Sequence, residues 1–295
     1  MRRLLVATLG GLLLVVITWH STRSTAVSED FPANLTGDVA KGAYLARASG
    51  CIACHTDLEQ GGAPLAGGPP LVTPFGTFYA PNLTTDKHHG IGGWSIEQFA
   101  QAVRQGKSPQ GERYYPAFPY TFYTRLSDQD IADLWAAFST VPPVPMAAPQ
   151  HQLDFPYNLR QGLIVWQSLF FTEDRFQPRP DKTASYNRGA YLVESVTHCA
   201  ACHGSRNVFA ALDSERPFSG GQSLLQGEGK VPAITAAALS GKGWTEQDLA
   251  YALQVGLKHD GDAFGGSMGE VVRYGTAFMR KQDLQAIAHY LMQQK

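Results

Sequence analysis

The chain has four cysteines, and all of them fall in one kind of motif: CIACH at Cys51, Cys54 and His55, and CAACH at Cys199, Cys202 and His203. C-x-x-C-H is the attachment signature of c-type haem. Two thiols one helical turn apart can each add to a vinyl group of one porphyrin, and the adjoining histidine then faces the iron from the proximal side. A C-x-x-C pair also suits a thioredoxin-like redox centre, a zinc site shared between the two halves, or a local disulfide. Two pairs, each followed directly by histidine in a chain with no other cysteine, favour two covalently bound haem c groups, with His55 and His203 as metal ligands.

The elements that must carry these motifs are duplicated. KGAYLARASGCIACH (41–55) resembles RGAYLVESVTHCAACH (188–203), with one extra residue before the second cysteine pair. GWSIEQFAQAVRQGKSPQG (93–111) resembles GWTEQDLAYALQVGLKHDG (243–261), and each half ends in a helical pattern, LSDQDIADLWAAF (126–138) and MRKQDLQAIAHYL (279–291). Each half reads as helix, haem motif, Gly/Pro-rich loop, helix, ligand loop and final helix. Long stretches lack period-two alternation, so the expected fold is all-α with little sheet. Gly42 and Gly189 are expected where the first and last helices of each half cross, with Tyr44 and Tyr191 filling the seam. The Pro-dense VPPVPMAAP (141–149) reads as a stiff linker. The apolar FPYNLRQGLIVWQSLFF (155–171) reads first as packing between the halves, with partner docking and membrane-surface contact as other roles.

The repeat also locates a distal iron ligand. Met268 stands 24 residues beyond Trp244, in a Gly-rich stretch, and is the candidate second ligand of its iron. The same step from Trp94 lands on Phe118, which cannot coordinate iron. For the first half four alternatives stay open. Its iron is five-coordinate, or another side chain (His88, His89, Met146 or a nearby tyrosine) takes the place, or a partner protein donates a ligand, or the ligand lies elsewhere in the loop.

Arg2 and Arg3 precede an uncharged apolar run over 4–19. This is the pattern of an export signal, somewhat short for a spanning helix of about 20 residues. Signal peptide and retained inner-membrane anchor are both open, and either one exports the rest of the chain. Lys and Arg (24) nearly balance Asp and Glu (25) without a basic run, which argues against a nucleic-acid partner.

NRGAYLVESVTHCAACHGSRN, TPFGTFYAPNLTTDKHHGIGGWS and YYPAFPYTFYTRLSDQDIADLWAAF resemble the multi-haem cytochrome c subunits of bacterial membrane-bound alcohol, gluconate, sorbitol and aldehyde dehydrogenases. The resemblance runs from about residue 38 to the end. It implies two tandem cytochrome c class I domains, which the repeat places at 31–140 and 184–295, after the N-terminal segment (1–30) and on either side of the Pro-rich, apolar linker (141–183). It further implies a protein that is not itself an enzyme, has no catalytic residues, and passes electrons from a periplasmic dehydrogenase to a quinone or a cytochrome or oxidase acceptor of the respiratory chain. The expected location is the periplasmic side of the bacterial inner membrane or the soluble periplasm. This chain departs from the family in having two haem motifs where three are usual, and Phe118 where the family usually has methionine. The second departure keeps a di-haem peroxidase- or oxidase-type enzyme with an open first haem as the alternative. No general acid–base constellation accompanies it in the sequence.

Overall fold

The computed structural model describes residues 31, 32 and 34–294. The N-terminal apolar segment lies outside the described residues, among which no helix is long and apolar enough to cross a membrane. In the first half, α1 (Val39–Ala48) starts where the Asp38 carboxylate accepts from the backbone N–H groups of Ala40 and Lys41. It leads into α2 (Cys51–His55), which carries the first motif. Two strands follow, β1 (Pro70–Thr73) and β2 (Gly76–Tyr79), then α3 (Ile96–Gln105) with a Ser95/Gln98 capping box. A short turn of helix, α4 (Tyr120–Tyr123), and α5 (Asp128–Phe138), capped by Ser127, complete this half.

After strand β3 (Gln152–Leu153) and helix α6 (Gly162–Phe170), the second half repeats the plan. It holds α7 (Ala184–Tyr191), a π-helical turn at Leu192–Val196, α8 (Ala200–His203), β4 (Gly221–Gln222) and β5 (Lys230–Val231). Next come α9 (Ala236–Gly241), α10 (Glu246–Val255) with a Thr245/Asp248 capping box, α11 (Gly266–Tyr274) and α12 (Lys281–Gln293).

The all-α expectation is corrected by this architecture: helices make up 41% of the structure, and β1, β2 and β3 form an antiparallel three-stranded sheet. The β1–β2 hairpin runs in register from Pro70↔Tyr79 to Thr73↔Gly76, and β3 adds to its edge through Gly76↔Leu153. Val72, Thr73, Thr77 and the aromatic pair Phe78 and Tyr79 favour extended backbone. At two to four residues per strand, however, the period-two pattern is too short to show in the sequence. The Pro-rich 141–149 segment is held against the first half. Asn82 Nδ2 donates to the carbonyls of Val144 (2.8 Å) and Met146 (2.9 Å), and Thr85 Oγ1 donates to that of Val141. These bonds strap the segment along the first half.

The two glycine crossings occur where expected. A Cβ on Gly42 would stand 1.8 Å from the Asp133 carbonyl oxygen in α5, and one on Gly189 would stand 2.0 Å from that of Ala286 in α12. The tyrosines do something else. Tyr44 in α1 donates its hydroxyl to Asp283 in α12, and Tyr191 in α7 donates to Asp130 in α5. Each therefore reaches out of its own half into the other. The exchange is reciprocal in detail: the backbone N–H of Ser127, which precedes α5, donates to the Tyr191 hydroxyl, and that of Arg280, which precedes α12, donates to the Tyr44 hydroxyl. Arg188 adds a bidentate pair to Asp283.

Helix α6 does pack against both halves. Its buried Gln167 accepts from Arg113, and its Trp166 indole N–H donates to the Phe209 carbonyl at 2.9 Å. It also turns Val165 (54% exposed) and Leu169 (67%) outward, which packing between the halves does not require.

Candidate functional site

The two C-x-x-C-H motifs open onto one continuous cavity of about 3490 Å³. Cys51, Cys54 and His55 line it from α2, and Cys199, Cys202 and His203 line it from the start and body of α8. All four thiols are free of disulfide bonds. Burial pushes the Cys51 thiol up to about 12 and the Cys199 thiol up to about 11, so both rest protonated. The Cys54 thiol is raised by burial and further by the Cys202 thiol of the other motif. Among the described residues no three His, Cys, Asp or Glu side chains group as a metal site, which argues against a zinc centre built from the four thiols.

Each motif histidine is held in the same way. His55 Nδ1 lies 2.7 Å from the Pro81 carbonyl oxygen and His203 Nδ1 lies 2.8 Å from that of Pro232. A carbonyl only accepts, so in both rings Nδ1 carries the proton and Nε2 keeps its lone pair. Burial holds both imidazoles below the ordinary range, His55 at about 4, so they are neutral. A neutral imidazole with a fixed tautomer, two thiols one helical turn away and a large cavity are the parts covalent haem requires. The residues present fit that group at both motifs.

The ligand-loop register of the two halves agrees along the backbone. Gly106 accepts from the Tyr114 N–H at 2.7 Å, and Gly256 accepts from the Phe264 N–H at 2.9 Å. The bridges Lys107↔Arg113 and Leu257↔Ala263 close the same loop in each half. Phe118 and Met268 follow those tyrosine and phenylalanine positions by the same number of residues, and both line the cavity. Met268 differs from expectation in one respect: it sits within helix α11, begun at Gly265, and not in an extended loop. Phe118 packs edge-on to Tyr114 (6.0 Å) and Tyr123 (5.7 Å). His88 and His89 are exposed in a turn capped by Asp86 and do not line the cavity, and neither does Met146, which is 48% exposed.

Sequence reasoning missed the parts played by four residues. The carbonyls of Pro81 and Pro232 carry no side-chain pattern that would announce them. Tyr123, fully enclosed, donates its hydroxyl to the Ser49 carbonyl at 2.6 Å, two residues before Cys51. His198 stacks on Tyr123, and its only trace in the sequence is the extra residue before the second cysteine pair.

The chain is similar to known proteins along its length. Residues 39–136 match the family Cytochrome c. A di-haem cytochrome c-type protein of Cereibacter sphaeroides is 39% identical across 99% of this chain and 98% of its own length. The gluconate 2-dehydrogenase cytochrome c subunit of Pantoea cypripedii is 38% identical over 86% of this chain, and the fructose dehydrogenase cytochrome subunit of Gluconobacter japonicus is 37% identical over 86% of it. The chain spans only 58% and 52% of the length of those two relatives. End-to-end similarity to a di-haem relative, together with two identically held histidines beside paired thiols, makes this chain a member of the cytochrome c family that includes di-haem cytochromes c and the cytochrome subunits of dehydrogenases.

Proposed function

We propose that the chain is an exported di-haem c-type cytochrome that receives electrons from a periplasmic dehydrogenase and delivers them to the respiratory chain, through a quinone or a cytochrome or oxidase acceptor. The observation that carries the reading is the single cavity joining two C-x-x-C-H motifs, each with a neutral histidine whose Nε2 is free. Haem c supplies a one-electron couple at iron when bound. Cys51 and Cys54 would hold one group and Cys199 and Cys202 the other, through thioether bonds. His55 and His203 would supply the proximal nitrogens, kept in one tautomer by Pro81 and Pro232. Met268 would supply a sulfur on the distal side in the second half, which raises a potential relative to a second histidine. Phe118 offers apolar surface and no lone pair at the matching place, so the first half is the lower-potential or ligand-exchangeable end. The domains proposed are 31–140 and 184–295, and the N-terminal segment serves as export signal or inner-membrane anchor. The dehydrogenase partner follows from the relatives, which are cytochrome subunits of gluconate, fructose and alcohol dehydrogenases.

The test is the mass of the denatured, acid–acetone-extracted protein expressed with haem-maturation machinery. Two covalent haem increments are expected, and one or none refutes the reading. Fractionation of the same cells tests location: recovery in the cytoplasm refutes export.

A further inference from the structure

The two halves differ at one point beside their haem motifs. In the first, Gly50 precedes Cys51 with φ +72°. In the second, His198 precedes Cys199 with φ +41°, the left-handed region that glycine adopts freely, asparagine at times and most other residues rarely. The chain reaches that conformation through the π-helical turn Leu192–Val196, whose Thr197 N–H bonds back to the Leu192 carbonyl at 2.7 Å. That turn absorbs the extra residue of the second repeat. π-Turns and non-glycine left-handed residues concentrate at functional sites.

The result of this geometry is a ring placed between the halves. His198 Nδ1 donates to the Thr197 carbonyl, which fixes the imidazole. The ring lies over Tyr123 of the first half, with centroids 5.5 Å apart and planes 22° from parallel, and edge-on to Phe122 at 6.1 Å. Tyr123 in turn is bonded to the backbone just before Cys51. His198, Tyr123 and Phe122 line the same cavity as both motifs. A continuous path therefore runs from Cys199 through the His198 ring, across the stack to Tyr123, and on to the backbone that carries Cys51.

We propose that His198 is the bridging residue for electron passage between the two halves: stacked on Tyr123 within the cavity that both C-x-x-C-H motifs line, its ring offers closely packed atoms in place of a through-space gap. The proposal rests on the two-haem reading above. An electron leaving one iron arrives on the other, His198 and Tyr123 are neither oxidised nor reduced in the net step, and no proton is transferred.

The experiment uses the full-length holoprotein and its His198→Gly, His198→Asn and His198→Phe variants. The rate of intramolecular electron transfer is read after flash reduction by a photoexcited ruthenium complex, with both midpoint potentials and the thermal midpoint measured alongside. Glycine and asparagine accept the left-handed backbone but remove the ring, so both are expected to slow transfer several-fold with both potentials unchanged. Thermal stability of the glycine variant should hold or rise, which a merely structural ring would not allow. Phenylalanine keeps a stacking ring and should restore the rate. Glycine and asparagine variants as fast as the parent, or a phenylalanine variant as slow as they are, would overturn the proposal. A parent protein carrying one haem would instead sink the two-haem reading, before any rate is compared.

Discussion

Gly189→Ala puts the helix crossing to a direct test. The added Cβ would stand 2.0 Å from the Ala286 carbonyl oxygen, 2.7 Å from its carbonyl carbon and 2.7 Å from the Tyr290 Cβ. A carbon–oxygen contact relaxes only beyond about 3.3 Å, so α7 and α12 must part by roughly 1.3 Å locally. The obstacle is backbone in the middle of a helix, which no rotamer change can relieve. Overpacking of this kind costs about 1–3 kcal/mol and occasionally more, while Gly to Ala inside a helix returns about 1 kcal/mol. Taking the upper end, because backbone must move, the net loss is about 2 kcal/mol. For a chain of this size that lowers the thermal midpoint by roughly 4–8 °C.

The assay is far-UV circular dichroism on heating, beside Gly162→Ala as a control. A Cβ on Gly162 meets nothing within 4 Å at the start of α6, so that change should be neutral or slightly stabilising. Gly42→Ala, with 1.8 Å to the Asp133 oxygen, should be at least as damaging as Gly189→Ala. If Gly42→Ala and Gly189→Ala melt with the control, the helices do not cross as described and the seam argument fails.

Met268→Ala should lower the potential of one haem and leave the other nearly unchanged; equal falls in a redox titration would contradict the assignment to one half. Phe118→Met should give the first haem a methionine–iron charge-transfer band in the near-infrared, and a parent protein that already shows two such bands defeats the Phe118 assignment. The Asp283 carboxyl is pushed up by burial but held below the ordinary carboxylate range overall by hydrogen bonds from Arg188 and Tyr44 and by the Arg188 charge. Its folded value lies below its unfolded one, so the stability it contributes is complete above about pH 4 and is lost as pH falls through the folded value. Asp283→Asn should therefore flatten the acid limb of a stability–pH curve and cost about 1.5–3 kcal/mol at neutral pH; an unchanged acid limb would show that the carboxylate is not the titrating group.

The candidate haem motifs were more legible in the sequence than the architecture around them, for a physical reason. Thioether attachment would need two thiols and a histidine within five residues, so Cys51, Cys54 and His55 stand out as candidates without any tertiary information. Duplication adds a ruler, and the backbone bonds of Gly106 and Gly256 follow the same register as far as Tyr114 and Phe264. Strands β1 to β5 were hidden because two to four residues cannot display a period. The helical setting of Met268 was hidden because Gly265, Gly266 and Gly269 around it argue locally for a loop. Pro81 and Pro232 act through carbonyl oxygens, which every residue has.

The reciprocal tyrosines were hidden for a deeper reason, and it bears on why two repeats share one cavity. Gly42 and Gly189 satisfy each half internally, so nothing in one repeat alone asks for a partner. Yet Tyr44 and Tyr191 each reach a carboxylate near the start of the other half's last helix, and each hydroxyl also accepts the backbone N–H of the residue preceding that helix. Two such clamps, related by the repeat, restrict rotation of one half against the other more than either clamp would alone. That constraint keeps both motifs on one cavity and keeps the His198 ring on Tyr123. Independent domains on a flexible tether would leave the distance between the motifs to diffusion. Here the same glycine–tyrosine pair that shapes each repeat also fixes how the two C-x-x-C-H motifs sit relative to each other.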